Sequence, residues 1–392
     1  MKPRRPETGG RGRNRRGGSV LLFVLILVVI TSAALLRFNE RALQEMAGEG
    51  YYVQRNRLRA EAFSALEATL AVLAEYRDID GGLFAPAQGW ADPLAISGYT
   101  PAEGREVTVE FADENAKLSL KRTDAQQEMA LQGLFGSLGF TADEVDVLTD
   151  SLLDWIDQDD NPRPSGAEKD EYLRDNPPHL AANAPPRTFE ELAVVQGFGD
   201  LMFTETGTPT ARMAAFHDRV SLYSNGTINL NTAPEEVLRA TGLFDENQLK
   251  SLAGALDTVD GNRGTVGARY YASLSELKGQ VANLPSGSSL GVRCLMLGII
   301  VTVHEGQAVY RLRAVVRTDA SGVTGGSAGA SNTTVQNNNV RTATGSSASK
   351  NSMGRGAGST VGASDQIAYP FRFLELVEDP PPTTIADPSS TP

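Results

Sequence analysis

Between Arg16 and Arg37 lie 20 consecutive uncharged residues, GGSVLLFVLILVVITSAALL, and no other feature restricts the chain so severely. Coiled as an α-helix at about 1.5 Å per residue, such a run reaches roughly 30 Å, the thickness of a bilayer's hydrocarbon core. One membrane span is therefore available. Lys2, Arg4, Arg5, Arg11, Arg13, Arg15 and Arg16 precede it against Glu7 alone, so the positive-inside tendency leaves the N-terminus in the cytoplasm and exports the chain beyond Arg37. The first 18 residues carry +6 within a chain of net −12, which leaves −18 for the remainder. A body so acidic repels phosphate backbones and anionic headgroups, which argues against nucleic acid as a partner. Cys294 is the single cysteine, which excludes an internal disulfide framework, a four-cysteine zinc site and a lipidated N-terminal cysteine.

Helix formers continue past the apolar run in NERALQEMAG and RNRLRAEAFSALEATLAVLAEYR, with Gly48 and Gly50 the expected joint. Phe63, Leu66, Leu70 and Leu73 fall on one helical stripe while Arg57, Arg59, Glu67 and Glu75 take other faces, so this half packs against a partner surface. Tyr51 and Tyr52 mark the interfacial end of the span or pack against a sheet.

Period-2 alternation marks strands at REVTVEF (105–111), LGIIVTVHEG (297–306) and AVYRLRAVVRT (308–318), the last two joined by a short hairpin at EGQ. In the third, Tyr310, Leu312, Ala314 and Val316 share one face and Arg311, Arg313 and Arg317 the other. YPFRFLELVED (369–379) reads as a final strand, with Pro370 at its start or on an edge. The intervening stretch is mostly helical and repeats itself. NAKLSLKRTD (115–124) parallels NGTINLNTAP (225–234), GLF recurs at 133 and 242, LLDWID (152) parallels ALDTVD (255), and TFEELAVVQG (188) loosely parallels SLSELKGQ (273–280). Coincidence among helix-loop-helix segments is the competing explanation. Residues 319–365 are Gly, Ser, Ala, Thr and Asn with few apolar groups, and a disordered insertion is expected there, as is a disordered tail over 380–392.

The expected fold is α+β: a long N-terminal helix and an antiparallel sheet, with a large mostly helical domain of two related units inserted in the sheet. The expected boundaries are a leader at 1–18, the helix at 19–78, a first sheet part at 79–112 and the helical domain at 113–293. Strands at 294–318 and 366–379 flank the insertion at 319–365.

Three fates are open to the apolar run. TSA at 31–33 fits a secretory cleavage site, an uncleaved run is a plain anchor, and RRGG followed by SVLLF resembles the leader of type IV pilins and pseudopilins. In the last case Gly18 precedes the cut and Ser19 becomes the methylated first residue. That family usually has glutamate at the fifth mature position, where it neutralises a neighbour's amine inside an apolar filament core; here Phe23 stands there. With this departure, the blocks ADENAKLSL, LLDWIDQDDNPRPSGAEKDEYL, TFEELAVVQGF and INLNTAPEEVLRA resemble the minor pseudopilin K family of type II secretion, also called general secretion pathway protein K. The resemblance covers most of residues 15–318. It implies a filament-tip subunit, partnered by minor pseudopilins I and J, the major pseudopilin G, prepilin peptidase and the inner-membrane secretion platform. It also implies a single-pass protein of the bacterial inner membrane with its C-terminal domain in the periplasm.

The acidic block has chemistry of its own. Asp157, Asp159 and Asn161 occupy positions 1, 3 and 5 of a twelve-residue loop that ends at Glu168, the oxygen-donor spacing of a calcium loop. Pro162 stands where an EF-hand needs glycine, so a differently wound Ca2+ loop or a solvated acidic loop is expected instead. Asp154, Asp160, Asp170 and Glu171 are further donors, and DTVDGNRG offers a weaker counterpart in Asp257, Asp260 and Asn262. Calcium is also associated with the resembled family.

The rival reading is a membrane-anchored periplasmic binding protein with helix-hairpin-helix modules, as in DNA uptake or a type IV pilus minor pilin. GFG at 197–199 has the phosphate-binding turn, but Asp200 and Glu205 follow where a DNA binder needs bases, and GLFD at 242–245 lacks the second glycine. No enzyme is expected: His179, His217 and His304 form no H-E-x-x-H, and GGSAG (325–329) matches a nucleophile elbow only through the composition of its tract. Trp155, flanked by Leu152, Leu153 and Ile156, reads as core.

Overall fold

The computed structural model describes residues 17–256, 269–285, 287, 289–319 and 370–378. Helix α1 runs from Gly17–Asp80 as one 64-residue rod. It passes through Gly48 and Gly50 while remaining helical, so the expected joint is corrected to a continuous helix. Glycine in a helix interior costs only about 1 kcal/mol against alanine, which the long helix-forming flanks absorb. Leu21–Arg41 has a mean hydropathy of 2.6, long and apolar enough to span a membrane, and none of it is covered by the rest of the protein. Tyr51 and Tyr52 stand exposed and do not reach the sheet.

After α1 come a short helix α2 (Pro93–Ser97) and strand β1 (Glu106–Asp113). The chain then leaves the sheet for β2 (Leu118–Ser119), α3 (Ala125–Ser137), α4 (Ala142–Ile156), α5 (Lys169–Tyr172), α6 (Phe198–Met202), α7 (Ala211–Arg219) and β3 (Val220–Ser221). Next are β4 (Ile228–Asn229), α8 (Glu235–Ala240), α9 (Glu246–Ala255), α10 (Leu274–Gln280) and β5 (Leu290–Gly291), before the chain returns as β6 (Met296–Glu305), β7 (Ala308–Arg317) and β8 (Arg372–Glu378). The main sheet is antiparallel in the order β1-β6-β7-β8. The β6–β7 turn is the tight one expected, with Glu305 opposite Ala308 and Gly306 at φ 61°, where a side chain would be strained.

Alternation decides which face of the sheet meets α1. Leu297, Ile299, Val301 and Val303 on β6, with Tyr310, Leu312, Ala314 and Val316 on β7, close over Leu58, Ala62, Ala65, Leu66, Leu70 and Leu73 of the helix. Each large aliphatic group in this seam contributes about 1.5–3 kcal/mol by leaving water. Arg59 of α1 clamps Glu378 of β8, and Glu61 joins Tyr99 and Arg105, whose guanidinium also reaches Glu305.

A second core belongs to the helical domain, where Phe135 stacks on Phe216 and meets Phe198 edge-on. Its two units are closed alike. β2 pairs in parallel with β3, and β4 pairs in parallel with β5. Leu120 N donates to Ser221 O at 3.0 Å, and Leu230 N donates to Gly291 O at 2.9 Å. Ser119 Oγ accepts from Lys121 N, as Asn229 Oδ1 accepts from Asn231 N two residues on. The turn between paired helices also recurs: Gly139 and Gly242, both at positive φ, precede the capping boxes Thr141/Glu144 and Asp245/Gln248. This corrects one alignment drawn from the sequence, because Gly242 is the counterpart of Gly139, whereas Gly133 lies inside α3. There it has a packing role: a Cβ on Gly133 would stand 2.6 Å from the Ala240 carbonyl oxygen, which fixes how closely α3 crosses α8.

Side chains tie the helical domain to the sheet. Asp113 at the end of β1 accepts from Asn229 Nδ2 (2.7 Å), Thr232 Oγ1 (2.5 Å) and Asn115 N (2.8 Å). Burial raises the Asp113 pKa, opposed by these hydrogen bonds from Thr232, Asn229 and Asn115. Asn115 is fully buried; its Oδ1 accepts from Leu295 N and Met296 N, and its Nδ2 donates to Thr227 O and Asn225 Oδ1.

Candidate metal centre

The acidic block begins inside α4. Thr141 and Glu144 box its N-terminus, and its last turn carries Leu152, Leu153, Trp155 and Ile156 into the helical core, confirming Trp155 as a packing residue. The same register buries Asp154 completely. Asp157 caps the helix, its N–H donating to Leu153 O at 2.9 Å. Pro162 and Pro164 deny the loop further helical hydrogen bonds, and the chain turns back at Gly166, whose N–H donates to Arg163 O at 3.1 Å. That residue is sterically required to be glycine, since a Cβ would overlap the Asp154 carboxylate. Glu168 then opens α5 and is 2% exposed.

Arg163, which the spacing of oxygen donors did not single out, organises the loop. Its backbone N–H donates to Asp154 Oδ2 (3.0 Å) and its Nη1 to Asp154 Oδ1 and Asp157 Oδ2 (both 2.8 Å). Both oxygens of Asp154 are thereby used. What remains is a buried remnant of negative charge: Asp157 Oδ1, Glu168 Oε1 and Glu168 Oε2 have no hydrogen-bond partner. Burial, then the charges of Asp154, Asp157, Asp160 and Asp159, push the Glu168 carboxyl up to about 7. Asp154 is raised as well, by burial, against the hydrogen bonds from Arg163.

The four donors singled out by spacing are thus divided. Asp157, half-buried with its Oδ1 covered, and the buried Glu168 are parts of one site. Asp159 lies at the exposed tip and accepts from Asn161 N (3.0 Å) and Nδ2 (2.7 Å), so these two satisfy each other. Asp160 faces Asn183 Nδ2 at 3.4 Å, and Asp170 is exposed beyond the site. Among the described residues no three His, Cys, Asp or Glu side chains are already gathered as a metal cage. The donor chemistry nevertheless fits a hard cation, because three buried carboxylate oxygens lack a partner and carboxylates left so are costly unless a cation or proton joins them. The counterpart residues Asp257, Asp260 and Asn262 lie outside the described residues, as does the GGSAG segment.

Other singled-out positions resolve into structure. Gly197, at φ 79°, starts α6, and a Cβ there would meet Val147 Cγ1 at 2.8 Å; one on Gly199 would meet Ala193 O at 2.8 Å. The Gly-Phe-Gly turn is filled by the protein's own chain and has Asp200 beside it. His217 packs on the Phe189 ring at 4.2 Å, His179 lies against Tyr172 at 4.9 Å, and His304 sits on β6. Gly18 and Ser19 fall in the first turns of α1.

Residues 110–205 match the family model described as type II secretion system protein K. The chain is 24% identical over 300 residues to type II secretion system protein K of Pseudomonas aeruginosa, covering 68% of this chain and 85% of that one. It is 26% identical over 200 residues to the protein of the same name from Pectobacterium carotovorum subsp. carotovorum, covering 47% and 59%. In fold it is similar to a chain of the solved GspK-GspI-GspJ complex of the enterotoxigenic Escherichia coli type 2 secretion system, with a TM-score of 0.51, 19% identity, and coverage of 70% of this chain and 94% of that one.

Proposed function

We propose that this chain is a minor pseudopilin of the type II secretion system protein K family, the tip subunit of the pseudopilus, assembling with minor pseudopilins I and J and capping a filament of pseudopilin G. The observation that carries this reading is the placement of a helical domain between the first two neighbouring strands of a sheet that a 64-residue N-terminal helix packs against. The apolar half of that helix is free to pack among neighbouring subunits, whereas the inserted domain adds bulk that blocks further addition on top. Phe23 supports the same position. A mature subunit beginning at Ser19 has no carboxylate before Glu40 to neutralise the amine of a subunit stacked ahead of it.

In this reading prepilin peptidase cuts between Gly18 and Ser19 on the cytoplasmic side, and the helix stays in the inner membrane with the remaining chain in the periplasm. The subunit is structural; it positions other proteins and carries out no reaction of its own. The acidic loop takes Ca2+, held by Asp157 and Glu168, with Asp159 and Asp160 adding negative potential. The ion supplies the positive charge that the buried carboxylates lack and locks the α4–α5 turn.

N-terminal sequencing of the mature protein from a secreting bacterium is the test. A chain starting at Ser19 is expected. One starting at Ala34, after a secretory signal, or at the initiator residue overturns the filament reading. For calcium, a rise in melting temperature with added Ca2+ is expected in the wild type and absent from the Asp157→Ala, Glu168→Ala pair; an equal rise in both removes these residues as ligands.

A further inference from the structure

We infer that Arg163 is the resident counter-ion of the acidic loop: its guanidinium holds Asp154 and Asp157 in place when no divalent ion is bound, and it sets the affinity for that ion by competing with it electrostatically. This rests on the calcium reading and goes beyond it, because it assigns regulation of the site to a residue that is not a ligand.

The geometry carries the inference. Asp154, Asp157, Asp159, Asp160 and Glu168 place five carboxylates in one turn of chain, and the cation inside that turn is Arg163, 24% exposed at its side chain. Its three hydrogen bonds consume both oxygens of Asp154 and one of Asp157. The split at Asp157 is the informative detail, since Oδ2 faces Arg163 while the buried Oδ1 is unpartnered along with both oxygens of Glu168. A divalent ion entering on the unpartnered side shares Asp157 with the guanidinium and meets a like charge across one carboxylate. In a partly buried site that repulsion is only weakly screened. Arg163 also explains how the loop keeps its shape without the ion. Asp154 is fully buried, and a buried carboxylate deprived of its partner is strongly destabilising.

Two variants separate charge from packing in full-length protein held in detergent. Arg163→Met removes the charge and keeps much of the apolar stem; Arg163→Lys keeps the charge but loses the two-carboxylate fork. The measurements are calcium titration calorimetry and melting temperature, each with chelator and with saturating Ca2+. The expected result is that Arg163→Met melts lower than wild type with chelator, regains the difference with Ca2+, and binds Ca2+ at least about tenfold more tightly, a modest fraction of the repulsion removed. Arg163→Lys is expected to stay within about threefold of wild-type affinity, because the charge persists. An Arg163→Met protein that folds only with Ca2+ also supports the inference. If Arg163→Met binds Ca2+ no more tightly than wild type, or is not restored by it, the counter-ion role is overturned while the calcium site stands. A wild type with no response to Ca2+ overturns the calcium reading itself.

Discussion

Replacing Asn115 with alanine tests whether one buried amide joins the sheet to the helical domain. In the native fold Oδ1 accepts from Leu295 N at 3.0 Å and Met296 N at 2.8 Å, and Nδ2 donates to Thr227 O at 3.0 Å and Asn225 Oδ1 at 3.2 Å. Truncation leaves the buried Met296 N–H and the half-buried Leu295 N–H without an acceptor. At about 1–3 kcal/mol for each abandoned group, with water recovering part of the Leu295 and Thr227 losses, the expected destabilisation is about 2–5 kcal/mol. Asn225→Ala is the control: at an exposed residue it removes one of these bonds and the local donation from Thr227 N to Asn225 Oδ1, and its expected cost is about 1 kcal/mol or less. The assay uses the chain's two tryptophans, since Trp90 is buried in the core between α1 and the sheet and Trp155 in the helical core. In Trp90→Phe and Trp155→Phe backgrounds, urea unfolding followed by fluorescence reports each core separately. With Asn115 present the two transitions coincide; with Asn115→Ala they separate. Coincident transitions, or a loss no greater than that of Asn225→Ala, refute the argument.

Two further outcomes rest on named contacts. With chelator present, Glu168 favours the fold fully below its unfolded pKa of 4.5 and loses that contribution as pH rises through about 7. Glu168→Gln is therefore expected to be more stable than wild type at pH 8 in chelator and to flatten this part of the pH profile; matched urea midpoints at pH 5 and pH 8 check it, and equal stability at pH 8 contradicts it. Gly133→Val forces α3 and α8 apart, because the added Cβ meets backbone atoms of Ala240 at 2.6–3.2 Å. The expected cost is about 1–3 kcal/mol by thermal melting, and a variant as stable as the parent shows that the crossing is looser than described.

The candidate metal site was only partly legible in the sequence. Oxygen-donor spacing picked out Asp157 and Glu168, which the fold brings within electrostatic reach of each other, but gave equal standing to Asp159 and Asn161, which bond to each other at the loop tip. It passed over Arg163, although an arginine fixed between two prolines within a run of carboxylates was a usable signal. The repeat was legible at its strand-like starts, because Leu118–Leu120 and Ile228–Leu230 keep the same alternation. It was misaligned at GLF, because a tripeptide does not reveal whether its glycine sits inside a helix or ends one.

Neighbours along the chain were enough to specify the helix, from an uncharged run followed by an amphipathic stripe, and the four long strands, from alternation that separates Tyr310, Leu312, Ala314 and Val316 from their arginine neighbours. Which segments meet across long separations follows from the closed fold. Asn115 reaches Met296, β2 finds β3, β4 finds β5, and Arg59 finds Glu378. Periodicity is a local property, set by bond geometry within a few residues. Pairings across roughly sixty to three hundred residues, and the burial that leaves Glu168 without a partner, exist only once both cores have closed and excluded water.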